Sequence, residues 1–347
     1  MEFAKIPGTD LSVSRIGLGT WSIGGWMWGG SDDDEAVRTI RSALDRGINL
    51  IDTAPVYGFG HAEELVGRAI QESGARDRVV LATKVGLDWS AGQPFRDARR
   101  FRIMAEVEAS LRRLRTDRID IYQVHWPDPA TPIGETAEAM LRLLEQGKIR
   151  AIGVSNFSRD QMHEFRQVAR IHTAQPPYNL FERESEKVVL PYCAWHGISA
   201  FAYGPICRGL LSGRMKPDTR FADDDLRTTD PNFQGERYRQ YLAAVDRLDR
   251  FARDNFGKRV IHLALRWVLG QPGVTAALWG ARRPAQLEPI DEVMGWSIRN
   301  GALAQINRIL RETISEPVGA EFMAPPSRSA RFESEHTDGA IGAPAID

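Results

Sequence analysis

Short apolar runs, separated by longer stretches with helical spacing, recur along most of the chain. Eight of them predict β-strands: RIGLGTW (15–21), INLID (48–52), VVLATKV (79–85), IDIYQVH (119–125), IRAIGVSN (149–156), TAQPPYN (173–179), ISAFAYG (198–204) and VTAALWG (274–280). The segments after the first three runs are long enough for crossover helices. Runs that stay apolar instead of alternating indicate a parallel sheet that is buried on both faces.

A (β/α)8 TIM barrel accommodates this α/β pattern in one domain, and a doubly wound open sheet is the alternative. The open sheet would carry a glycine fingerprint for dinucleotides after its first strand. Gly17 and Gly19 are present, but Ser22 stands where the third glycine would be. The sequence therefore predicts the barrel.

Three segments fall outside the eight units. Residues 2–14 predict a hairpin that closes the bottom of the barrel, with its turn at Pro7-Gly8 or Thr9-Asp10. The connection from 206 to 258, after the seventh strand, is unusually long and predicts a lid or a disordered insert. We expect the barrel to occupy 1–323 and a mobile tail to occupy 324–347.

Charge and cysteine content exclude several classes of protein. The 347 residues include 45 Lys plus Arg and 46 Asp plus Glu, so no net field recruits nucleic acid or a membrane surface. Two cysteines cannot form a disulfide framework, and the N-terminus lacks a signal-like segment, which together predict a cytoplasmic protein. The longest stretch without charged residues, 188–207, contains Pro191 and Pro205 and predicts a helix end, a turn and a buried strand. The histidines show no metal-ligand spacing, so no metal site is predicted.

Reactive side chains stand where the predicted strands end, which is where barrel enzymes build their active sites. The second strand ends with Asp52 and leads to Tyr57, the third carries Lys84, and the fourth ends with His125. A phenol has a pKa of about 10 in water, and a nearby lysine ammonium would lower it. Asp52 would hold the lysine charged, and His125 would bind a carbonyl oxygen. Such a set donates a proton to a developing alkoxide, and a cofactor must supply the hydride.

Each of these residues also has a purely structural interpretation. A single Tyr or His at a strand end is usually a packing residue, and Asp52 with Lys84 could form an ion pair that only fills the barrel. Ser155 and Asn156, at the end of the fifth strand, could cap the next helix, although Ser158 could also fill that role. The convergence of all four reactive side chains favours catalysis.

Seven segments, taken in order, resemble the signatures of the aldo-keto reductase superfamily of NADPH-dependent (β/α)8 oxidoreductases. They are GLGTWSIGG, NLIDTAPVYGFGHAEELVGRAI, VVLATKVG, IDIYQVHWPD, GKIRAIGVSNF, FAYGPICRGLLSG and LWGARRPAQL. The resemblance covers nearly all of residues 1 to 325 and is close to the bacterial branch of general stress proteins. It implies a catalytic tetrad of Asp52, Tyr57, Lys84 and His125, with Tyr57 as general acid in reduction and general base in oxidation.

The resemblance also implies a site for NADP(H). Ser155, Asn156 and Gln175 would hold the nicotinamide carboxamide, and Tyr203 would stack on the ring. The remaining residues expected to border the cofactor are Gly19, Thr20, Trp21, Asp52, Gly204, Pro205, Ile206, Cys207, Arg208, Leu210, Gly280, Arg282, Arg283 and Gln286. The two arginines would bind the 2′-phosphate, which predicts a preference for NADPH over NADH. Pro289 and Ile290 replace a Glu-Asn pair that many relatives place near the adenine.

The expected activity is the reduction of aldehydes or ketones, or the reverse oxidation of alcohols. The partner would be a small carbonyl or alcohol substrate in a pocket walled by aromatic residues: Trp21, Trp26, Trp28, Phe59, Trp89 and Trp126. A monomer or weak homo-oligomer is expected. One alternative is a regulatory subunit that senses the NADPH/NADP ratio with slow turnover. Another is a phosphate-handling barrel isomerase, which would not need Asn156, Gln175 and Tyr203 together.

Overall fold

Eight parallel strands close into a barrel in the computed structural model of the chain, which describes residues 1–328. The strands in chain order are β1 (Phe3–Lys5), β2 (Ser12–Ser14), β3 (Ile16–Gly19), β4 (Leu50–Asp52), β5 (Val80–Val85), β6 (Leu87–Ser90), β7 (Gln93–Arg96), β8 (Ile119–Val124), β9 (Ile149–Ser155), β10 (Thr173–Gln175), β11 (Ser199–Tyr203) and β12 (Val274–Gly280). The barrel order is β3-β4-β5-β8-β9-β10-β11-β12, and β12 pairs with β3. Each predicted run contains one barrel strand, so the predicted fold is confirmed.

Helices surround the barrel and connect its strands. They are α1 (Asp33–Asp45), α2 (His61–Glu72), α3 (Arg100–Leu114), α4 (Ile133–Glu145), α5 (Arg159–Phe165), α6 (Val189–His196), α7 (Gly235–Phe256), α8 (Val260–Leu269) and α9 (Asn300–Thr313). Residues 188–207 form α6, a turn and β11, as predicted. Within residues 1–328, no helix is long and apolar enough to cross a membrane. The same residues contain no cluster of potential metal ligands.

The hairpin β1–β2 closes the N-terminal end of the barrel. Its turn is at Pro7-Gly8, where Gly8 has φ +81° and the amide of Thr9 donates to the carbonyl of Ile6 at 3.2 Å. Apolar hairpin side chains pack with the strand residues that fill the barrel interior: Ile6, Leu11 and Val13 against Leu50, Val80, Ala82, Ile121, Ala151, Phe201, Ala276 and Leu278. The predicted plug is therefore present, and it leaves the opposite end of the barrel for the site.

The long connection after β11 is ordered, so it is not the disordered insert that was one of the two predictions for 206–258. Residues 206–234 contain three short 3-10 turns, and the 22-residue helix α7 follows them. The buried positions Tyr238, Tyr241, Val245, Leu248 and Ala252 give this helix an apolar face at helical spacing. Turn-forming and charged residues before Gly235 obscured that periodicity in the sequence. Residues 206–229 instead form part of the wall of the site.

The end of the described chain packs against the hairpin β6–β7, which the sequence did not predict. The backbone amide of Arg96 donates to the carbonyl of Pro326 at 2.9 Å, and Arg96 forms an isolated bridge with Ser327. A guanidinium N–H of Arg328 donates to the carbonyl of Ala130 at 3.0 Å. Residues 324–328 therefore contact the barrel, where a tail was expected to begin. The rest of that predicted tail, 329–347, lies outside the described residues.

Candidate active site

A cavity of about 780 Å³ opens at the C-terminal ends of the barrel strands. Its volume is typical of sites that bind small molecules and cofactors. Asp52, Tyr57 and His125 line it, together with Gln175 from β10 and Gly280 from β12. Residues predicted from separate strand ends therefore meet at one place.

Lys84 lies at the centre of the candidate catalytic group. Its side chain is fully buried, and its Nζ donates to Asp52 Oδ2 at 2.6 Å and to Tyr57 Oη at 3.2 Å. The third N–H donates to the carbonyl of Thr53 at 3.0 Å. Burial lowers the pKa of Lys84, and the charge and hydrogen bond of Asp52 oppose that shift. Because all three protons of the ammonium have acceptors, the charged form is well accommodated.

Asp52 is itself held from the other side by two amides. Its Oδ1 accepts from Gln175 Nε2 at 2.9 Å and from Gln123 Nε2 at 3.1 Å. Gln123 pairs with Gly153 on β9, where an added Cβ would lie only 2.6 Å from Gln123 Cγ. The glycine thus makes room for the amide. Sequence reasoning missed Gln123, although a buried amide inside the apolar run IDIYQVH is the signal that would have revealed it.

The protonation of Tyr57 differs from the sequence expectation. Burial raises the pKa of the Tyr57 phenol well above its ordinary value, and the charge of Asp52 adds to the rise. The expected lowering of this pKa by Lys84 is not found, because loss of water around the phenol and the Asp52 carboxylate both act in the opposite direction. At neutral pH Tyr57 is therefore the protonated form that a proton donor needs.

His125 stands beside Tyr57, with the two ring centroids 5.8 Å apart in an edge-on arrangement. Loss of surrounding water, followed by the charge of Lys84, holds the pKa of His125 well below its ordinary value. The imidazole is therefore neutral near pH 7. One ring nitrogen of a neutral imidazole carries a proton and can donate it to a carbonyl oxygen.

Asn156 joins three strand ends. Its Nδ2 donates to the carbonyl of His125 at 2.9 Å and to Ser155 Oγ at 3.1 Å, and its Oδ1 accepts from the Tyr203 hydroxyl at 3.0 Å. Ser158 provides the N-cap of α5, so Ser155 and Asn156 do not have that role. Both residues line the cavity with Tyr203. The Asn156 amide is already engaged by protein groups, and it orients Tyr203.

The loop after β11 follows the cavity only in part. Gly204, Pro205, Ile206 and Arg208 line the cavity. Cys207 and Leu210 are fully buried and do not line it. Burial raises the pKa of the Cys207 thiol well above its ordinary value. The side chains of Cys207 and Leu210 are therefore core residues, so only their backbone is placed to border a cofactor.

The two arginines after β12 point in different directions. Arg282 lines the cavity and donates to the carbonyl of Trp28 at 2.6 Å, so it fastens the loop after β3 to the end of β12. The side chain of Arg283 is 71% exposed, lies 3.4 Å from a carboxylate oxygen of Glu35 and does not line the cavity. The predicted arginine fork is therefore absent. Gln286 lines the cavity, and its Oε1 accepts from the backbone amide of Arg282 at 2.7 Å.

Sequence reasoning missed four further arginines that line the cavity. Arg214, Arg220 and Arg259 line the cavity and form no salt bridge with an acid within residues 1–328. Arg227 also lines it but is paired with Asp225 at 2.6 Å. Unneutralised cations in a cavity wall attract an anionic ligand. The basic residues of the long connection were visible in the sequence, but their convergence depends on the path of that loop.

Aromatic rings form the wall beside Tyr57. Trp21 stacks on the Tyr57 ring at 6.0 Å, and Trp26 and Trp126 belong to the same apolar cluster. Phe59 and Trp89 were expected to line the pocket, but they pack behind it, with Phe59 5.1 Å from Trp26 and 5.4 Å from Trp89. Four residues near the end of the described chain complete the lining: Phe322, Met323, Pro325 and Pro326.

Comparisons with known proteins give a consistent family assignment. A model of the Aldo/keto reductase family matches residues 15–311. Aldo-keto reductase YhdN from Bacillus subtilis (strain 168) is 60% identical over 328 residues, which cover 94% of this chain and 99% of that protein. The NADH-specific methylglyoxal reductase from Escherichia coli (strain K12) is 37% identical over 302 residues, 82% of this chain and 91% of that protein.

The solved structures include a similar barrel. The glycerol dehydrogenase AKR11B4 from Gluconobacter oxydans aligns with a TM-score of 0.84 at 52% identity, covering 93% of this chain and 99% of that chain. The matched family spans the whole barrel, including every strand that carries a candidate catalytic residue. This chain therefore belongs to the aldo/keto reductase family of oxidoreductases.

Proposed function

We propose that this oxidoreductase transfers hydride reversibly between NADP(H) and a small uncharged carbonyl or alcohol compound. Tyr57 is the general acid in reduction and the general base in oxidation. The observation that carries the proposal is the hydrogen bond from Lys84 Nζ to Tyr57 Oη, 3.2 Å long, at the cavity end of a buried Asp52–Lys84 pair. A structural ion pair would not require a phenol and an imidazole beside it in a cavity.

The side chains divide the proton chemistry among them. The neutral imidazole of His125 donates to the carbonyl oxygen, and Tyr57 transfers its proton to that oxygen as negative charge develops. The tyrosinate that remains is stabilised by the hydrogen bond from Lys84. Asp52 keeps the lysine charged throughout, because its carboxylate compensates the ammonium in a buried place. Oxidation of an alcohol uses the same groups in reverse.

The residues of the cavity fit a nicotinamide cofactor. When bound, the cofactor supplies or accepts the hydride. A Cβ at Gly204 would meet nothing within 4 Å, so this glycine leaves open space along the cavity. Ser22 Oγ is buried in the lining without a hydrogen-bond partner among residues 1–328, as a group that awaits a ligand would be. Ser155 and Gln175 would hold the carboxamide, and Tyr203 would face the ring.

The charges of the cavity favour NADPH over NADH. Six arginines line it: Arg208, Arg214, Arg220, Arg227, Arg259 and Arg282. Arg214, Arg220 and Arg259 have no salt bridge to an acid among the described residues, although Arg259 Nη2 lies 3.4 Å from His262 Nε2, so their charges can serve phosphate groups. NADPH carries one phosphate more than NADH. A relative 37% identical to this chain is named NADH-specific, so family membership does not determine which cofactor is preferred. The arginines are what supports NADPH.

The surroundings of Tyr57 favour an uncharged substrate. Its ring lies in a cluster with Val56, Leu87, Trp21 and Trp126, none of which offers a charge to a carboxylate or a phosphate. Two similar proteins are named for methylglyoxal and glycerol, which are uncharged three-carbon compounds. Small oxygenated aldehydes, ketones and polyols are therefore the first substrates to test.

The decisive experiment is a substrate panel followed at the NADPH absorbance band. It compares uncharged compounds with anionic relatives: methylglyoxal with pyruvate, which is of nearly equal size, and glyceraldehyde with its larger phosphate. We expect kcat/KM to be higher for the uncharged member of each pair, and the dissociation constant to be lower for NADPH than for NADH. Faster turnover of the anionic members would contradict the substrate class, and equal affinities would contradict the cofactor choice.

A further inference from the structure

Arg208 occupies an unusual place in the loop after β11. Its backbone is left-handed, with φ +53° and ψ 30°, and Cys207 before it has φ 46°. Residues with a side chain rarely adopt this conformation, and it persists only where the surrounding structure holds it. The side chain of Arg208 is only 4% exposed, so the contacts that hold the turn are inside the protein.

Two buried carboxylates engage the guanidinium of Arg208. One N–H donates to Glu182 Oε1 at 2.6 Å, and the Nε–H donates to Asp230 Oδ2. The side chains of Glu182 and Asp230 are 3% and 0% exposed. The group carries one positive and two negative charges, so its net charge is negative. Unlike a free arginine, this guanidinium has no uncompensated charge to offer to a phosphate.

The three residues connect separate parts of the cavity wall. Glu182 comes from the loop after β10, where Asn179 Nδ2 donates both to Glu182 Oε2 at 2.6 Å and to the carbonyl of Gly204 at 3.0 Å. Asp230 belongs to the segment 225–233, whose residues 226, 227 and 229 line the cavity. The group therefore ties the glycine at the start of the β11 loop to a segment more than twenty residues further along the chain.

We propose that Arg208 is a positioning residue, clamped by Glu182 and Asp230, and that it shapes the cofactor half of the cavity without binding phosphate. The inference rests on the proposed cofactor site. The sequence predicted only that Arg208 borders the cofactor, and the clamp gives its side chain a role other than that of a phosphate ligand. The clamp fixes the left-handed turn at 207–209 and the segment 225–233 in one arrangement before any ligand arrives.

The substitutions Asp230→Asn and Glu182→Gln distinguish the two roles by the sign of their effect. Each removes a negative charge and leaves Arg208 less compensated. If Arg208 binds phosphate, both variants bind NADPH more tightly. If Arg208 is a positioning residue, both loosen the turn, and the dissociation constant for NADPH rises by about 3- to 30-fold. Isothermal titration of the full chain with NADPH measures this directly.

Asp120→Asn is the matched control. Asp120 is equally buried and pairs with Arg76 at 2.9 Å and Arg150 at 2.6 Å, but it lies near the start of β8, away from the cavity. This variant is expected to lower thermal stability while changing the dissociation constant for NADPH by less than about twofold. If a general loss of stability weakened NADPH binding, it would do so in all three variants. Only a clamp predicts weaker NADPH binding in Asp230→Asn and Glu182→Gln but not in Asp120→Asn.

Hydrogen exchange in the ligand-free protein gives a readout that does not depend on the cofactor. We expect faster exchange at 204–213 and 225–233 in Asp230→Asn and Glu182→Gln, and unchanged exchange there in Asp120→Asn. Tighter or unchanged NADPH binding in the two clamp variants would overturn the inference. If the wild type binds neither NADPH nor NADH, the proposed function fails. In that case exchange alone decides on the clamp, which unchanged exchange in both segments would refute.

Discussion

The guanidinium of Arg96 donates to the backbone carbonyl of Pro325 at 2.8 Å, across 229 positions of the sequence. Arg96 also donates to the carbonyl of Pro127 at 3.2 Å and lies over the ring of Trp126 at 5.2 Å. Pro325, Pro326 and Trp126 all line the cavity. One side chain thus joins the hairpin β6–β7, the loop after β8 and the end of the described chain.

Replacing Arg96 with alanine should therefore act on substrate binding. Loss of charge-assisted hydrogen bonds worth about 1.5–3 kcal/mol is expected to raise KM for a carbonyl substrate about tenfold or more. The dissociation constant for NADPH should stay nearly unchanged, because Arg96 holds the wall beside His125. Steady-state kinetics on Arg96→Ala and on the exposed control Arg100→Ala test this. A KM equal in both variants would contradict it.

Tyr57→Phe should abolish most carbonyl reduction and leave NADPH binding nearly intact, because only the transferable proton is lost. General acid catalysis contributes about 10²–10⁴-fold, so kcat should fall within that range. Tyr122→Phe is a matched control, since Tyr122 is a fully buried tyrosine whose hydroxyl has no partner among the described residues. If Tyr57→Phe kept more than about a tenth of kcat, with chemistry shown to limit the rate, Tyr57 would not be the acid.

The pH dependence of reduction follows from three pKa shifts. The pKa of His125 is lowered from 6.5, so the imidazole stays neutral through pH 7. The pKa of Tyr57 is raised above 10.0, so the phenol keeps its proton, whereas the pKa of Lys84 is lowered from 10.5. We expect kcat/KM for a carbonyl to be flat around neutrality and to fall at alkaline pH as Lys84, rather than Tyr57, loses its proton. If the residual activity of Lys84→Met showed the same alkaline fall as the wild type, loss of the Lys84 proton would not be its cause.

Lys84→Met keeps much of the side-chain volume and removes the charge beside the phenol. The rate should fall by about 10²-fold or more, as for loss of a general acid–base partner. The rise of alcohol oxidation with pH should move to higher pH, because the tyrosinate base loses its stabilising cation. Lys148→Met, which removes a partly exposed lysine paired with Glu108, is the control. An unchanged pH profile in the residual activity of Lys84→Met would remove the lysine from this role.

The choice of cofactor depends on the cavity arginines. A charge-assisted contact worth about 1.5–3 kcal/mol predicts at least a tenfold preference for NADPH in the wild type. Among Arg214→Ala, Arg220→Ala and Arg259→Ala, at least one should weaken NADPH binding about tenfold with a smaller effect on NADH. Arg283→Ala should change neither, because that side chain is exposed outside the cavity.

Arg282→Ala has a different expected signature. Its guanidinium binds the carbonyls of Trp28 and Gly30, so its loss should loosen the loop after β3 and weaken NADPH and NADH alike. Fluorescence titration with both cofactors at moderate salt measures all these variants. A selective loss of NADPH affinity in Arg282→Ala would instead assign the phosphate to this arginine.

The barrel and the grouping of the candidate catalytic residues were predictable because both follow local rules. Apolar runs identify buried strands, and a residue directly after a strand, such as Asp52 or His125, must lie at the C-terminal mouth. The placement of Lys84 could be predicted from the alternation of side chains along a strand. Each of these inferences relies only on residues that lie within a strand or directly after it.

The parts that escaped prediction depend on long-range contacts. Whether Arg283 or Arg259 reaches the cavity is decided by the path of a loop and by competing partners, which no periodicity records. Arg208 was expected to border the cofactor, but its clamp was not predicted, because its two carboxylate partners lie 26 and 22 positions away in sequence. Gln123 was not predicted, because the role of a buried amide in a strand depends on its contact with Asp52, which the sequence does not show.

The residue at position 156 must satisfy two independent chemical requirements, and few residue types satisfy both. Its backbone is left-handed, with φ 60°, which among residues with side chains favours asparagine and aspartate. Its side chain must also donate twice, to His125 and Ser155, and accept once from Tyr203. Aspartate cannot donate, glycine has no side chain, and glutamine is too long for this short bridge in a left-handed turn. Asparagine alone meets both demands, so no isosteric replacement should preserve this junction.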